Sequence, residues 1–343
     1  MTDGNARMAA EAREAPEILR RQADLLVRPV QELIARLRHT PPRVVVTCAR
    51  GSSARAALFG KGLIERHLGI PVADASPSVV TVYGQRLRLH GQLFLTISQS
   101  GRSDDLVESA LAAKHSGALT VAIVNDTESP LASASDFVLP IEAGAEFSIA
   151  ATKTFIASVG ALMRLVAHWS GDAALTAAIE NLPSRLLTAA ELDWPSALDA
   201  LSRKQSLAVL GRGPTLAIAD EASLKLKEVC DIHAEGYSGS EFQHGPIALV
   251  SRDYPVLVLM PNDAASNELS NLVRDLCHKS RQVFVTGEAI CNAKPLPALP
   301  PEHPATDALC LIQTFYGFAA RLADRLGLDA AQPRHLQKIT RTR

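Results

Sequence analysis

The sequence predicts an α/β chain of two tandem, doubly wound parallel-sheet domains, with a helical segment before them and a short tail after them. Three observations lead there. Apolar stretches rich in β-branched residues alternate with alanine-rich helical segments, the order that gives a parallel sheet covered on both faces. The plan occurs twice, since Val46-Thr47-Cys48-Ala49-Arg50-Gly51-Ser52-Ser53 matches Val209-Leu210-Gly211-Arg212-Gly213-Pro214-Thr215, each a strand running into an Arg-Gly turn and then a helix. At 343 residues the chain also exceeds the size at which single cores stop growing, roughly 250–300 residues.

Taken in order, residues 1–40 form the helical segment, whose stretch 9–39 is rich in Arg and Leu and reads as one amphipathic helix or two. The first domain, 41–180, has strands expected at 44–47, 93–97, 121–124 and 137–139, and a long helix over 153–168 closed by Trp169-Ser170-Gly171-Asp172. A helical stretch through Pro195 leads into the second domain, 195–328, with strands at 207–210, 256–259 and 283–285. The tail, 329–343, has a proline, few apolar residues and several cations, so it is expected to be lightly packed until a ligand orders it.

Composition narrows the function. A net charge of −1, 4% aromatic residues and no block of like charges leave no nucleic-acid footprint, and a small-molecule partner fits better. The five cysteines, Cys48, Cys230, Cys277, Cys291 and Cys310, lack the paired spacing of a disulfide framework or zinc knuckle, which points to a reducing cytoplasm and to no metal. The N-terminus lacks a basic and an apolar leader region, and no apolar run approaches the ~20 residues that span a bilayer, so no membrane partner is expected. No cofactor is expected either.

One turn carries chemistry. The apolar run 93–97 stops abruptly at Ser98-Gln99-Ser100-Gly101-Arg102-Ser103, and a helical pattern follows from Asp105. Strand, tight turn and helix start make an anion cradle, because the first helical turn offers unpaired N–H groups and the positive end of the dipole. Such a turn on its own often does no more than cap a helix. Here a second hydroxyl-rich turn, Arg50-Gly51-Ser52-Ser53, is expected beside it at the carboxyl ends of the strands. The corresponding turn of the second copy, Pro261-Asn262-Asp263-Ala264-Ala265-Ser266, is acidic and lacks glycine, so only the first copy suits phosphate.

From about residue 44 to 340 the chain resembles the sugar isomerase (SIS) domain family, and within it the tandem isomerase part of glucosamine-6-phosphate synthase. The family's phosphate motif Ser-Gln-Ser-Gly-x-Thr/Ser stands here as Ser98, Gln99, Ser100, Gly101, Arg102 and Ser103. Its Cys-Gly-Thr-Ser turn stands as Arg50-Gly51-Ser52-Ser53, with arginine in place of the cysteine. Ala222-Ser223-Leu224-Lys225-Leu226-Lys227-Glu228, continued by Ile232-His233-Ala234-Glu235, looks like its catalytic helix. Ser240-Glu241-Phe242-Gln243-His244-Gly245-Pro246 is similar to its Gly-Glu-Leu-Lys-His-Gly-Pro loop, and Gln332-Pro333-Arg334-His335-Leu336-Gln337-Lys338 to its Gln-Pro-Arg-Asn-Leu-Ala-Lys tail.

The resemblance implies two SIS domains with a catalytic tail, acting on a phosphorylated amino sugar or ketose. It implies catalytic roles for Glu228, His244 and Lys338: Glu228 carries a proton between C1 and C2, His244 opens the pyranose ring, and the Lys338 amine attacks the sugar carbonyl. Substrate contacts are implied at Arg50, Ser52, Ser53, Ser98, Gln99, Ser100, Ser103, Ile149, Ala150 and Lys225. It also implies a homodimer in which His244 completes the partner's site. The synthase draws ammonia from an amidotransferase domain beginning with cysteine, whereas this chain begins Met1-Thr2-Asp3, so the expected reaction is degradative: glucosamine 6-phosphate and water to fructose 6-phosphate and ammonia. Other sugar-phosphate isomerisations, ammonia-dependent synthesis, galactosamine-6-phosphate deamination and fructosamine-6-phosphate deglycation share the scaffold. A sugar-phosphate sensor is the alternative without turnover, though a sensor has no use for Glu228, His244 and Lys338 together.

Overall fold

The computed structural model describes residues 1–338, so residues 339–343 of the expected tail lie outside the described residues. Among the described residues ten strands form two five-stranded sheets. The first holds β1 (Val45–Ala49), β2 (Val72–Asp74), β3 (Leu93–Ser98), β4 (Leu119–Val124) and β5 (Phe137–Pro140), in the order β2-β1-β3-β4-β5. The second holds β6 (Ser206–Gly211), β7 (His233–Ser238), β8 (Val256–Val258), β9 (Val283–Thr286) and β10 (Lys294–Leu296), in the order β10-β9-β8-β6-β7. Every pairing is parallel, and the two-sheet α/β architecture agrees with the sequence expectation.

All seven expected strands form. The three additional ones, β2, β7 and β10, are sheet edges, and each carries polar residues or proline in place of a continuous apolar run. The stretch from His233, read from the resemblance as more of the catalytic helix, is β7. The helix Pro214–Cys230 stops because Asp231 turns left-handed at φ 52°, and the strand then pairs with β6 from Ser206↔His233 onward.

The chain clusters into two compact units, each assembled from separated segments. One comprises residues 17–146, 153–180 and the described tail from Gln337, and contains the first sheet; the other comprises residues 1–16, 147–152 and 181–336, and contains the second. In the first-sheet unit, β3 is buried along its whole length, and the helix Lys153–Ser170 is buried from Lys153 to Ala167, as expected of a helix enclosed on all sides. Gly160 lets that helix meet its neighbour closely, since a Cβ there would lie 2.4 Å from Leu19. In the second-sheet unit, Trp194 packs against Phe315 and Phe318 at centroid distances of 6.3 and 5.5 Å, and its indole donates to the Pro297 carbonyl at 2.9 Å.

The N-terminal segment is three helices, Asp3–Ala12, Ala15–Leu25 and Val27–His39, rather than one or two. The break has a purpose in packing, because the first helix belongs to the second-sheet unit and the others to the first-sheet unit. Gln22 secures the middle one by donating to the carbonyls of Ile141 (2.6 Å) and Ala157 (3.0 Å). The tail is not lightly packed at its root. Ala330 and Ala331 are fully buried, the Ala330 N–H donates to Asn5 Oδ1 at 2.7 Å, and the Ala331 carbonyl accepts from Ile149 at 3.0 Å. Beyond them, residues 334–337 are exposed.

Candidate functional site

In the first-sheet unit, β3 delivers Ser98 to the sheet's carboxyl end, where the chain must turn sharply to enter the helix Asp104–His115. Ser98 Oγ accepts the Gly101 N–H at 3.1 Å, and Ser100 Oγ accepts the Arg102 N–H at 3.3 Å, which fixes the turn. Gly101 is required on two counts: its φ is 61°, and a Cβ would fall 2.1 Å from Ser129 Oγ. Ser103 occupies the N-cap in extended conformation, yet its hydroxyl makes no capping hydrogen bond. The N–H groups of Leu106 and Val107 are bonded to the Ser103 carbonyl instead, both at 3.1 Å. Gln99 is held through its carbonyl, which accepts the Asn125 N–H at 3.3 Å.

The register Ala49↔Ile97 between β1 and β3 sets the second hydroxyl-bearing turn alongside. Arg50 is the N-cap residue of the helix Gly51–Leu68, whose first turn contains Ser52 and Ser53. Its guanidinium donates through Nε and Nη2 to Asp105 Oδ2, at 3.0 and 2.8 Å, tying this turn to the helix start that follows the other. Arg102 instead pairs with Asp126 at 2.7 Å, and that bond together with the Glu128 N–H holds the Asp126 carboxyl below the usual carboxylate range.

The same unit holds Lys338. Its Nζ donates to Glu146 Oε2 at 2.8 Å, and the fully buried Glu146 carboxylate also accepts from Thr154, from Oγ1 at 2.8 Å and from the N–H at 3.3 Å. Sequence reasoning missed Glu146, because an acid in an irregular stretch shows nothing of its burial. Its place just before Phe147-Ser148-Ile149 was the one available signal. Ile149 and Ala150 belong to the second-sheet unit, where Ala150 is buried and Ile149 is bonded to the root of the tail.

That second-sheet unit also carries Glu228 and His244. Along the helix Pro214–Cys230, Lys225 Nζ donates to Glu228 and lies 3.6 Å from Glu221 Oε1, and Tyr316 donates to the same Glu221 oxygen at 3.1 Å. Glu221 and Lys225 are buried, whereas the Glu228 side chain is 21% exposed. A solvated ion-pair face would show the opposite pattern. This row points one carboxylate outward and backs it with a buried cation. His244 is the exposed C-cap of the short helix Gly239–Gln243, and its ring makes no hydrogen bond to a described residue.

Among the described residues no cluster of three or more His, Cys, Asp or Glu could hold a metal ion, and no helix is long and apolar enough to cross a membrane.

Comparison with known proteins follows the same lines. The SIS domain family model matches residues 40–167 and 200–294. The glutamine–fructose-6-phosphate aminotransferase (isomerizing) of Aquifex aeolicus is 36% identical over 313 residues, covering 86% of this chain and 51% of that protein. The chain thus spans about half the length of the curated relatives it matches. Among solved structures, a Silicibacter pomeroyi DSS-3 protein assigned as a phosphosugar isomerase superposes with a TM-score of 0.90 at 41% identity, covering 94% of this chain and 99% of that one. The C-terminal domain of glucosamine-fructose-6-phosphate aminotransferase from Francisella tularensis gives 0.83 at 25% identity, covering 95% and 98%.

Proposed function

The chain belongs to the SIS domain family, and from that premise we propose that it is a phosphosugar isomerase that converts glucosamine 6-phosphate and water to fructose 6-phosphate and ammonia. The observation that carries the reading is the presence, in one unit, of a serine-rich strand-to-helix turn, which we take as the phosphate cradle, and a lysine amine bonded to a buried carboxylate. Phosphate recognition plus a primary amine is the equipment for imine chemistry on a phosphorylated carbonyl compound.

In this reading the cradle hydroxyls and the helix N–H groups hold the phosphate, and His244 moves a proton at the ring oxygen to open the pyranose. Glu228 then takes the C2 proton of the open-chain amino aldehyde and returns it to C1, giving a ketimine at C2. Water adds to that carbon and ammonia leaves, or Lys338 displaces ammonia first and its own imine is hydrolysed. Either route balances as one water consumed and one ammonia released. Lys225 keeps the Glu228 carboxylate in place through the exchange.

The test is ammonia release, with appearance of fructose 6-phosphate, when the protein is mixed with glucosamine 6-phosphate. Binding without release of either product rejects the reading. The name of the Aquifex relative favours a second one, in which the same groups run in the aminating direction. Fructose 6-phosphate with ammonium would then give glucosamine 6-phosphate faster than the reverse reaction at matched concentrations.

A further inference from the structure

Cys277 and Cys291 are separated in the sequence, but the fold of the second-sheet unit sets one against the other. Cys277 lies in the last turn of the helix Ser266–Lys279, half-buried against the apolar core of β6, β8 and β9. The chain leaving β9 folds over it. A turn at residues 290–293, closed by the Ala293 N–H on the Ile290 carbonyl at 3.0 Å, wraps the Cys277 sulfur. Cys277 Sγ donates to that carbonyl at 3.9 Å and accepts from the N–H groups of Asn292 and Ala293. The Cys291 thiol completes the set of contacts, within hydrogen-bond reach of Cys277 Sγ.

The two thiols differ in a way that assigns each a role. Cys291 is exposed and holds a left-handed backbone at φ 52°, a conformation that glycine or asparagine adopts at less cost, although Asn292 stands next to it. Cys277 is covered, and burial holds its thiol above the usual range. An accessible sulfur facing a shielded one is the geometry a disulfide bridge requires.

We infer that Cys291 and Cys277 form a thiol-modification site, in which Cys291 is the entry sulfur for a low-molecular-weight disulfide and Cys277 resolves the adduct to a reversible bridge. The Cys291 thiolate attacks one sulfur of the disulfide, forming a mixed disulfide and releasing one small thiolate. Cys277 then gives its proton to solvent and attacks the Cys291 sulfur, forming the Sγ–Sγ bond and releasing the second small thiolate. Two protein thiols are oxidised and one disulfide is reduced to two thiols, so the exchange balances without another oxidant. Glu288, Ile290 and Cys291 line a cavity of about 870 Å³ together with Ser270 and Arg274 of the helix, so the bridge ties two walls of that cavity to each other. The site is independent of the proposed sugar chemistry.

The test incubates the full chain with oxidised glutathione at pH 8, quenches with acid, and reads intact masses and peptides by mass spectrometry without reduction. The unaltered protein should lose the mass of two hydrogens and yield a cross-linked peptide joining Cys277 to Cys291, and excess reduced glutathione should reverse both. Cys277→Ser cannot resolve the first adduct, so it should hold one glutathione on Cys291. Cys291→Ser should leave Cys277 unmodified. Cys48, Cys230 and Cys310, all buried, should stay reduced in every sample and mark the fold as intact. Failure of Cys291 to react, or a mixed disulfide that persists on Cys291 of the unaltered protein, overturns the inference. So does a Cys277 that takes up glutathione as fast in Cys291→Ser, or a bridge that forms only in urea. Should Cys277→Ser fail to fold, the unaltered protein and Cys291→Ser still decide among these outcomes.

Discussion

At the residue scale, the proposed chemistry turns on a few side chains whose surroundings differ sharply. Ser100 and Ser103 would each donate a hydroxyl to a charged phosphate, a bond worth about 1.5–3 kcal/mol. Replacing both with alanine is expected to raise KM for the sugar phosphate by at least about a hundredfold while the fold persists, as read by steady-state kinetics and circular dichroism. A double variant with unaltered KM would remove the cradle from the binding site. Lys338 is tested chemically: borohydride added with fructose 6-phosphate should leave a reduced sugar adduct on that lysine, found by peptide mass spectrometry. An untouched Lys338 together with an active Lys338→Met enzyme would leave direct attack by water on the ketimine. The cysteines differ sharply in burial. Burial pushes the thiols of Cys48 and Cys310 up to about 12, whereas Cys291 is exposed. A thiol reagent at pH 8 should therefore label Cys291 first and leave Cys48 and Cys310 unmodified in the folded protein.

At the element scale, the cradle depends on one turn being able to bend left-handed. Gly101→Ala forces a Cβ into a positive-φ position and against Ser129, and strain of that kind costs about 1–3 kcal/mol. The variant should melt earlier and lose phosphate affinity together, whereas Ala at the exposed Gly62, where a Cβ meets nothing within 4 Å, should change neither. The tail divides into a packed root and an exposed continuation. Truncation after Gln332 retains the buried Ala330 and Ala331 but removes the Lys338 amine from Glu146 and the Arg334 partner from Asp231. The expected outcome is complete loss of turnover with a destabilisation of only about 1–3 kcal/mol, because Glu146 keeps its bonds from Thr154. A truncated enzyme with normal turnover would exclude Lys338 from catalysis.

At the scale of the whole molecule, the proposed proton carrier and ring-opening group are on the second-sheet unit, and the cradle and amine are on the first-sheet unit. The family resemblance further suggests that His244 serves the partner subunit of a dimer. Mixing Glu228→Gln and His244→Ala chains, each inactive alone, should then restore part of the activity through hybrid dimers. Subunit exchange without recovery would place both residues in the site of a single chain. The buried strands of both sheets and the Ser98–Ser103 turn were legible in the sequence, because a central parallel strand is a continuous apolar run and a tight strand-to-helix turn shows its hydroxyls and glycine within six adjacent residues. Edge strands β2, β7 and β10 were not, since pairing on one side tolerates polar residues and proline. Nor could local pattern foresee that residues 147–152 would join the second-sheet unit, that Glu146 would be buried under Lys338, or that Arg50 would close on Asp105. Those outcomes follow from burial and charge pairing between residues far apart in the chain. The sequence by itself determined the central buried strands and the turn of hydroxyls and glycine that follows β3; the tertiary structure alone decided which charges are paired and buried, because desolvation depends on what the rest of the fold places around a group.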